Sequence, residues 1–151
     1  MLGAEGMLLA SDDSGIVQSL EDVVRRWGGN FYIKNNVSFK QEIRNWKEGG
    51  GKVCHLSMYG VNLPDLADEL KKCDKLMIVV GAEKVPPEIY QLADWNVAVG
   101  SQPHSEVAAV AITMDRIAEG EPLEKEFSGA ELTIVPAERG GKHVIENAGG
   151  E

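Results

Sequence analysis

Short apolar, β-rich runs alternate with single amphipathic helices along this chain, and no other feature constrains its fold so tightly. Residues 6–10 (GMLLA) read as a strand. Asp13-Ser14 then opens a helix to Trp27, with Ile16, Leu20, Val23, Val24 and Trp27 at helical spacing, and Gly28-Gly29 stops it. Residues 31–33 make a second strand. Ser38, with Gln41 three residues on, predicts a capping box for a helix carrying Phe39, Ile43 and Trp46. Residues 52–57 (KVCHLS) make a third strand, which exits through Met58-Tyr59-Gly60. Pro64 marks a helix start, with Leu63, Leu66, Ala67 and Leu70 on the apolar face. Residues 75–80 (KLMIVV) are apolar on both faces, as suits a central parallel strand. Pro86-Pro87 opens a short helix, and residues 95–99 (WNVAV) form a fifth strand. The longest helix begins at Pro103 or Ser105 and turns Val107, Val110, Ala111, Met114 and Ile117 inward. Residues 131–136 and 142–146 predict a terminal hairpin.

Strands joined by single helices imply right-handed βαβ units and a mostly parallel α/β sheet flanked by helices, drawn from the pattern alone as an open doubly wound sheet. The length of 151 residues suits one domain. Hydrophobic residues at 43% and charged residues at 26% describe an ordinary globular chain, not a disordered tail, a fibre or a disulfide-stapled mini-protein. No apolar run approaches the ~18 residues of a membrane helix, and Met1-Leu2-Gly3-Ala4-Glu5 lacks the basic leader of a signal peptide. Two cysteines, Cys54 and Cys73, with no CxxC suit a reducing, cytoplasmic setting. The net charge of −9 argues against indiscriminate nucleic-acid binding. Residues 21–52 nevertheless carry Arg25, Arg26, Lys34, Lys40, Arg44, Lys47 and Lys52 against four acids. Such a segment can meet phosphate, or it can be a set of solvated helix faces.

Open parallel sheets bind ligands beyond the carboxyl ends of their strands. Three consecutive strands here end in unusual sequence: residues 55–60 (HLSMYG), 81–86 (GAEKVP) and 100–106 (GSQPHSE). Gly81 and Gly100 each follow directly on a β-rich run, where glycine permits either a turn or the close approach of a ligand to the backbone. Leu56, Met58, Val80, Val85 and Val99 offer apolar walls, and Ser101, Gln102 and His104 offer polar contacts. Ser101 and Ser105 serve equally well as simple helix caps. Neither a P-loop nor a GxGxxG follows a strand. His55, His104 and His143 lack metal-ligand spacing, so no metal site is expected. A triad of Ser57 or Ser101 with His104 and Asp94 can be drawn on paper, but no GxSxG elbow accompanies it. Trp27, Trp46 and Trp95 fall on apolar faces and read as core.

HLSMYG (55–60), VVGAEKVP (79–86), LADWNVAVG (92–100) and SQPHSEVAA (101–109), with VVRRWGG (23–29) and FSGAELTIVPAERGGK (127–142), resemble the archaeal tRNA (cytidine-2′-O)-methyltransferases that act on cytidine 56 of the T-loop. These belong to the SPOUT class. The resemblance implies a C-terminal trefoil α/β knot, a homodimer, a tRNA substrate and S-adenosylmethionine as cofactor, with neither membrane nor metal. It carries the cofactor contacts onto Leu56, onto Gly81, Ala82, Glu83, Lys84 and Val85, and onto Val99, Gly100, Ser101, Gln102, Pro103, His104, Ser105 and Glu106. It divides the chain into a knotted domain, 1–126, and a hairpin extension, 127–151. Relatives begin with a further strand and an LGHR-like segment that supplies a candidate catalytic arginine. The residues given start after it, the expectation being a longer natural form, and no catalytic residue is assigned. The alternatives are a non-catalytic knotted dimer that keeps cofactor or RNA binding, and a SPOUT methyltransferase acting on another RNA.

Overall fold

The computed structural model describes residues 2–81 and 85–147. The chain divides into two compact units, one formed by residues 3–37 with the segment from 125 onward, the other by residues 38–124.

In the first unit, β1 (Gly6–Leu8) and β2 (Tyr32–Lys34) pair in parallel, with Met7 opposite Ile33. The helix between them, α1 (Ser14–Trp27), is capped as the sequence suggests: the Asp13 carboxylate accepts from the backbone N–H groups of Gly15 (2.9 Å) and Ile16 (3.2 Å). Gly28 closes the helix at φ +80°, and a side chain there would strike the Ser128 carbonyl. No residue of α1 is fully buried, so its apolar stripe is only partly covered; Ile16 stays 41% exposed. The expected hairpin is present as β6 (Leu132–Ile134) antiparallel to β7 (Val144–Glu146).

The second unit carries the larger core. Its elements are α2 (Phe39–Glu48), β3 (Lys52–Asn62), α3 (Leu63–Leu70), β4 (Leu76–Val79), α4 (Pro87–Leu92), β5 (Trp95–Ala98), α5 (Glu106–Ile117) and a final turn, α6 (Glu121–Glu124). The three strands form one parallel sheet in the order β4-β3-β5. Central β3 is covered on both faces: Val53, Cys54 and His55 have no exposed surface and Leu56 is 8% exposed. Cys54, Leu56, Leu63, Leu70, Val97 and Ala109 make up one cluster, and Ile43 of α2 is buried as well. Burial pushes the Cys54 thiol, with a smaller push from Cys73, up to about 12, so it behaves as an apolar core group.

Four expectations change. The strands form three sheets in place of one doubly wound sheet. The third strand does not stop at Ser57: it runs to Asn62, and both Leu56 and Val61 register with Val97, so residues 57–60 bulge out and the strand meets β5 a second time. The capping box is not formed: Ser38 precedes α2 but makes no side-chain cap bond, and the Gln41 side chain turns to Asn45 (2.8 Å) in place of reaching back to Ser38. On α5 the expected Val110 and Ile117 do pack against the core, beside the more deeply buried Ala109 and Thr113, while Val107 points outward at 79% exposure. The three tryptophans are half-buried; Trp46 donates to the Lys52 carbonyl (3.0 Å) and Trp95 to Glu69 (2.9 Å).

Candidate methyl-donor and RNA site

The order β4-β3-β5, all parallel, sets the carboxyl ends of the three strands side by side, as the proposed pocket requires. Leu56 lies buried in β3. Gly81 follows β4 by two residues and is half-buried, as is Val85. The two are packed so closely that a Cβ on Gly81 would sit 1.9 Å from Val85 Cγ2. Only glycine permits that approach. Ala82, Glu83 and Lys84 lie outside the described residues.

After β5 the chain passes through half-buried Val99 to Gly100, which has φ +77° and open space where a Cβ would be. Its backbone N–H donates to the Asn62 side chain (3.2 Å), so the far end of β3 fastens the start of this loop. Ser101, Gln102, Pro103, His104, Ser105 and Glu106 are all exposed. His104 Nε2 faces the Val99 carbonyl and Nδ1 faces that of Ser105 (3.3 Å); donation from one of them holds the ring near the base of the loop. Ser105 is a true cap: its hydroxyl accepts from the Ala108 N–H (3.1 Å). Glu106 stands in the first turn of α5, where the helix dipole favours a carboxylate. Ser101 makes no such cap.

Sequence reasoning missed a polar chain directly behind these loops. His55 is fully buried, and its Nδ1 lies 2.8 Å from Asn96 Oδ1. The Asn96 amide nitrogen donates to the Tyr90 carbonyl (3.0 Å), which leaves Oδ1 as the acceptor and puts the imidazole proton on Nδ1. The Tyr90 ring meets the His55 ring edge-on at 4.6 Å, and its hydroxyl bonds to Ser57 Oγ (3.0 Å). One signal was available. Polar His55 and Asn96 interrupt two adjacent apolar strands at registered positions, and buried polar groups must satisfy one another.

The basic segment is largely neutralised. Arg25 is bound by Asp22 and by Glu131 (2.7 Å), Arg26 by Asp22 (3.7 Å), Lys40 by Glu88 (2.9 Å), and Lys47 and Lys52 by Asp94 (3.3 and 3.6 Å). Lys34 and Arg44 have no ion-pair partner among the described residues. The paper triad fails on geometry: Asp94 holds the Val53 N–H (2.9 Å) and two lysines, while His104 holds backbone carbonyls. Among the described residues no three His, Cys, Asp or Glu side chains converge as a metal site, and no helix is long and apolar enough to cross a membrane.

Comparison with known proteins identifies the family. A family profile described as tRNA ribose 2′-O-methyltransferase, aTrm56, matches residues 27–145. The chain is 99% identical over 149 residues to the tRNA (cytidine(56)-2′-O)-methyltransferase of Methanosarcina mazei, covering 99% of this chain and 84% of that protein. It is 53% identical over 145 residues to the protein of that name from Methanoregula boonei, covering 96% and 82%. A crystal structure titled RNA 2′-O ribose methyltransferase shares the fold at 12% identity and a TM-score of 0.59, over 80% of this chain and 47% of that one. A profile match spanning most of the chain, and near-identity to a protein bearing the family's name, settle its membership: the chain belongs to the tRNA ribose 2′-O-methyltransferase family aTrm56.

Proposed function

We propose that this protein transfers a methyl group from S-adenosylmethionine to the ribose 2′-hydroxyl of cytidine 56 in the T-loop of tRNA. The observation that carries this is the side-by-side order β4-β3-β5, in which Val79, just before Gly81, registers with His55, and Val97, just before Val99 and Gly100, registers with Leu56. The site fits a nucleoside held by backbone groups. Gly100 presents its backbone to open space, and Gly81 lies against Val85 with no room for a side chain. Leu56, Val85 and Val99 would pack the apolar parts of the cofactor, and the loop from Gly100 to Glu106 would supply its polar contacts. Bound there, the cofactor supplies an electrophilic methyl sulfonium.

The chain's own contribution is positioning. Asn62 and His104 fix the loop after β5, and prealigned groups lower the entropic part of a displacement barrier. The double engagement of β3 with β5 supports the further reading that β4, β5 and α5 form the threaded part of a knot. Exposed Val107 and Ile112 on α5 are in keeping with a homodimer. Residues 127–151 are read as a family-specific extension to the knotted domain, and the protein as cytoplasmic.

The test is methyl transfer from labelled S-adenosylmethionine into unmodified tRNA transcript, with the modified nucleotide mapped. Label at the ribose of cytidine 56 is the expected result. Label at another nucleotide would replace the substrate, and cofactor binding without transfer would leave a binding module.

A further inference from the structure

We propose that the Tyr90–Ser57 hydrogen bond, backed by Asn96 and His55, is a positioning clasp that sets the spacing between the Leu56 and Val85 walls of the cofactor site. The proposal rests on the reading of those loops as the cofactor site. Ser57 adjoins Leu56 on β3, and Tyr90 stands in α4. Between Val85 and α4 lies only Pro86, and α4 itself opens on Pro87; the two rings fix φ and make the link stiff. The position of α4 is therefore passed to Val85, and through the tight contact to Gly81.

Two bonds hold α4 from independent directions. The Tyr90 hydroxyl meets Ser57 of β3, and the Tyr90 carbonyl accepts from Asn96 of β5. Asn96 is itself oriented by buried His55, so the amide cannot turn over without losing both partners. A fully buried histidine committed to holding an asparagine is costly unless the geometry it enforces is used. The apolar packing of α4, through Ile89, would hold the helix without any of this. The polar chain adds direction, placing one end of α4 against the strand that carries Leu56. None of these side chains is assigned to the reacting atoms; they act through the walls they hold.

The test uses Tyr90→Phe, Ser57→Ala, the double variant and Ser57→Thr, with S-adenosylmethionine binding followed by calorimetry. Each of the two single variants is expected to weaken cofactor affinity about three- to tenfold, the range for one lost hydrogen bond. The double variant should be no weaker than either single, and Ser57→Thr, which keeps the hydroxyl, should restore affinity. In turnover, KM for the cofactor should rise while kcat and KM for tRNA hold. Ser57→Ala leaves α4 untouched, so it keeps the measurement open if Tyr90→Phe folds poorly. Wild-type affinity in both single variants, or additive losses in the double, would overturn the clasp alone. A wild-type protein that binds no S-adenosylmethionine would instead sink the site reading, and the clasp with it.

Discussion

Two glycines separate the fold from the site at the level of single residues. Gly60 lies against the Asn96–Val97 peptide, where a Cβ would be 2.3 Å from the Asn96 carbonyl oxygen. Backbone cannot yield as a side-chain tip can, so Gly60→Ala should cost about 1–3 kcal/mol in urea unfolding. Gly100 is hindered by nothing within 4 Å; only its positive φ resists a side chain. Gly100→Ala should cost about 1–2 kcal/mol of stability and should weaken S-adenosylmethionine binding measurably by calorimetry. Undiminished binding would show that no ligand approaches that backbone. Gly100 was legible in the sequence because it ends an unmistakable β-run. Gly60 was not, because Met58-Tyr59-Gly60 looks like a loop exit and nothing local reveals a second strand pressed against it. His55 escaped notice for a related reason: a lone histidine in an apolar run says nothing until its neighbour across the ladder is known.

Among elements, most of the order and type was written locally. Asp13 caps the helix it was expected to open, Ser105 takes the capping role left open between it and ligand contact, and the terminal hairpin forms as read. What failed depended on partners distant in sequence: that Val107 stays outside while Val110 and Ile117 of the same helix pack inward, and how many sheets the strands make. One long-range joint ties three elements together. Asp94, just before β5, accepts the Val53 N–H of β3 and faces Lys47 of α2 and Lys52; its side chain is 18% exposed. Burial alone would raise its pKa, but the Val53 N–H and the two lysines outweigh it and hold the carboxyl below its ordinary value. A depressed pKa contributes stability that is complete above the unfolded-state value and lost as pH falls through the folded one. Asp94→Asn should therefore be less stable than wild type at pH 7. The gap should close as pH drops below about 4, where the unfolded carboxyl takes up its proton. Urea unfolding of both proteins at several pH values measures this; a gap independent of pH would mean that the charge contributes nothing.

Across the whole molecule, charge decides how an acidic protein could hold RNA. The +3 of residues 21–52 suggested a phosphate-binding stripe, yet most of those cations are spent on Asp22, Glu88, Asp94 and Glu131. Within residues 21–52, the two cations without an ion-pair partner among the described residues, Arg44 and Lys34, are the better candidates. If Arg44 meets a phosphate of bound tRNA, Arg44→Glu should weaken binding and lower the slope of log affinity against log salt by about one. Lys40→Glu, which discards an existing ion pair, should change that slope less. Equal slopes for wild type and Arg44→Glu would move the RNA surface elsewhere.

The repeated engagement of Leu56 and Val61 with Val97 also dictates an order of assembly. During synthesis, residues 52–62 leave the ribosome more than thirty residues ahead of Trp95–Ala98. Gly60 can seat only after the Asn96–Val97 peptide exists beneath it. The second half of β3 must therefore wait for β5 before it can pair.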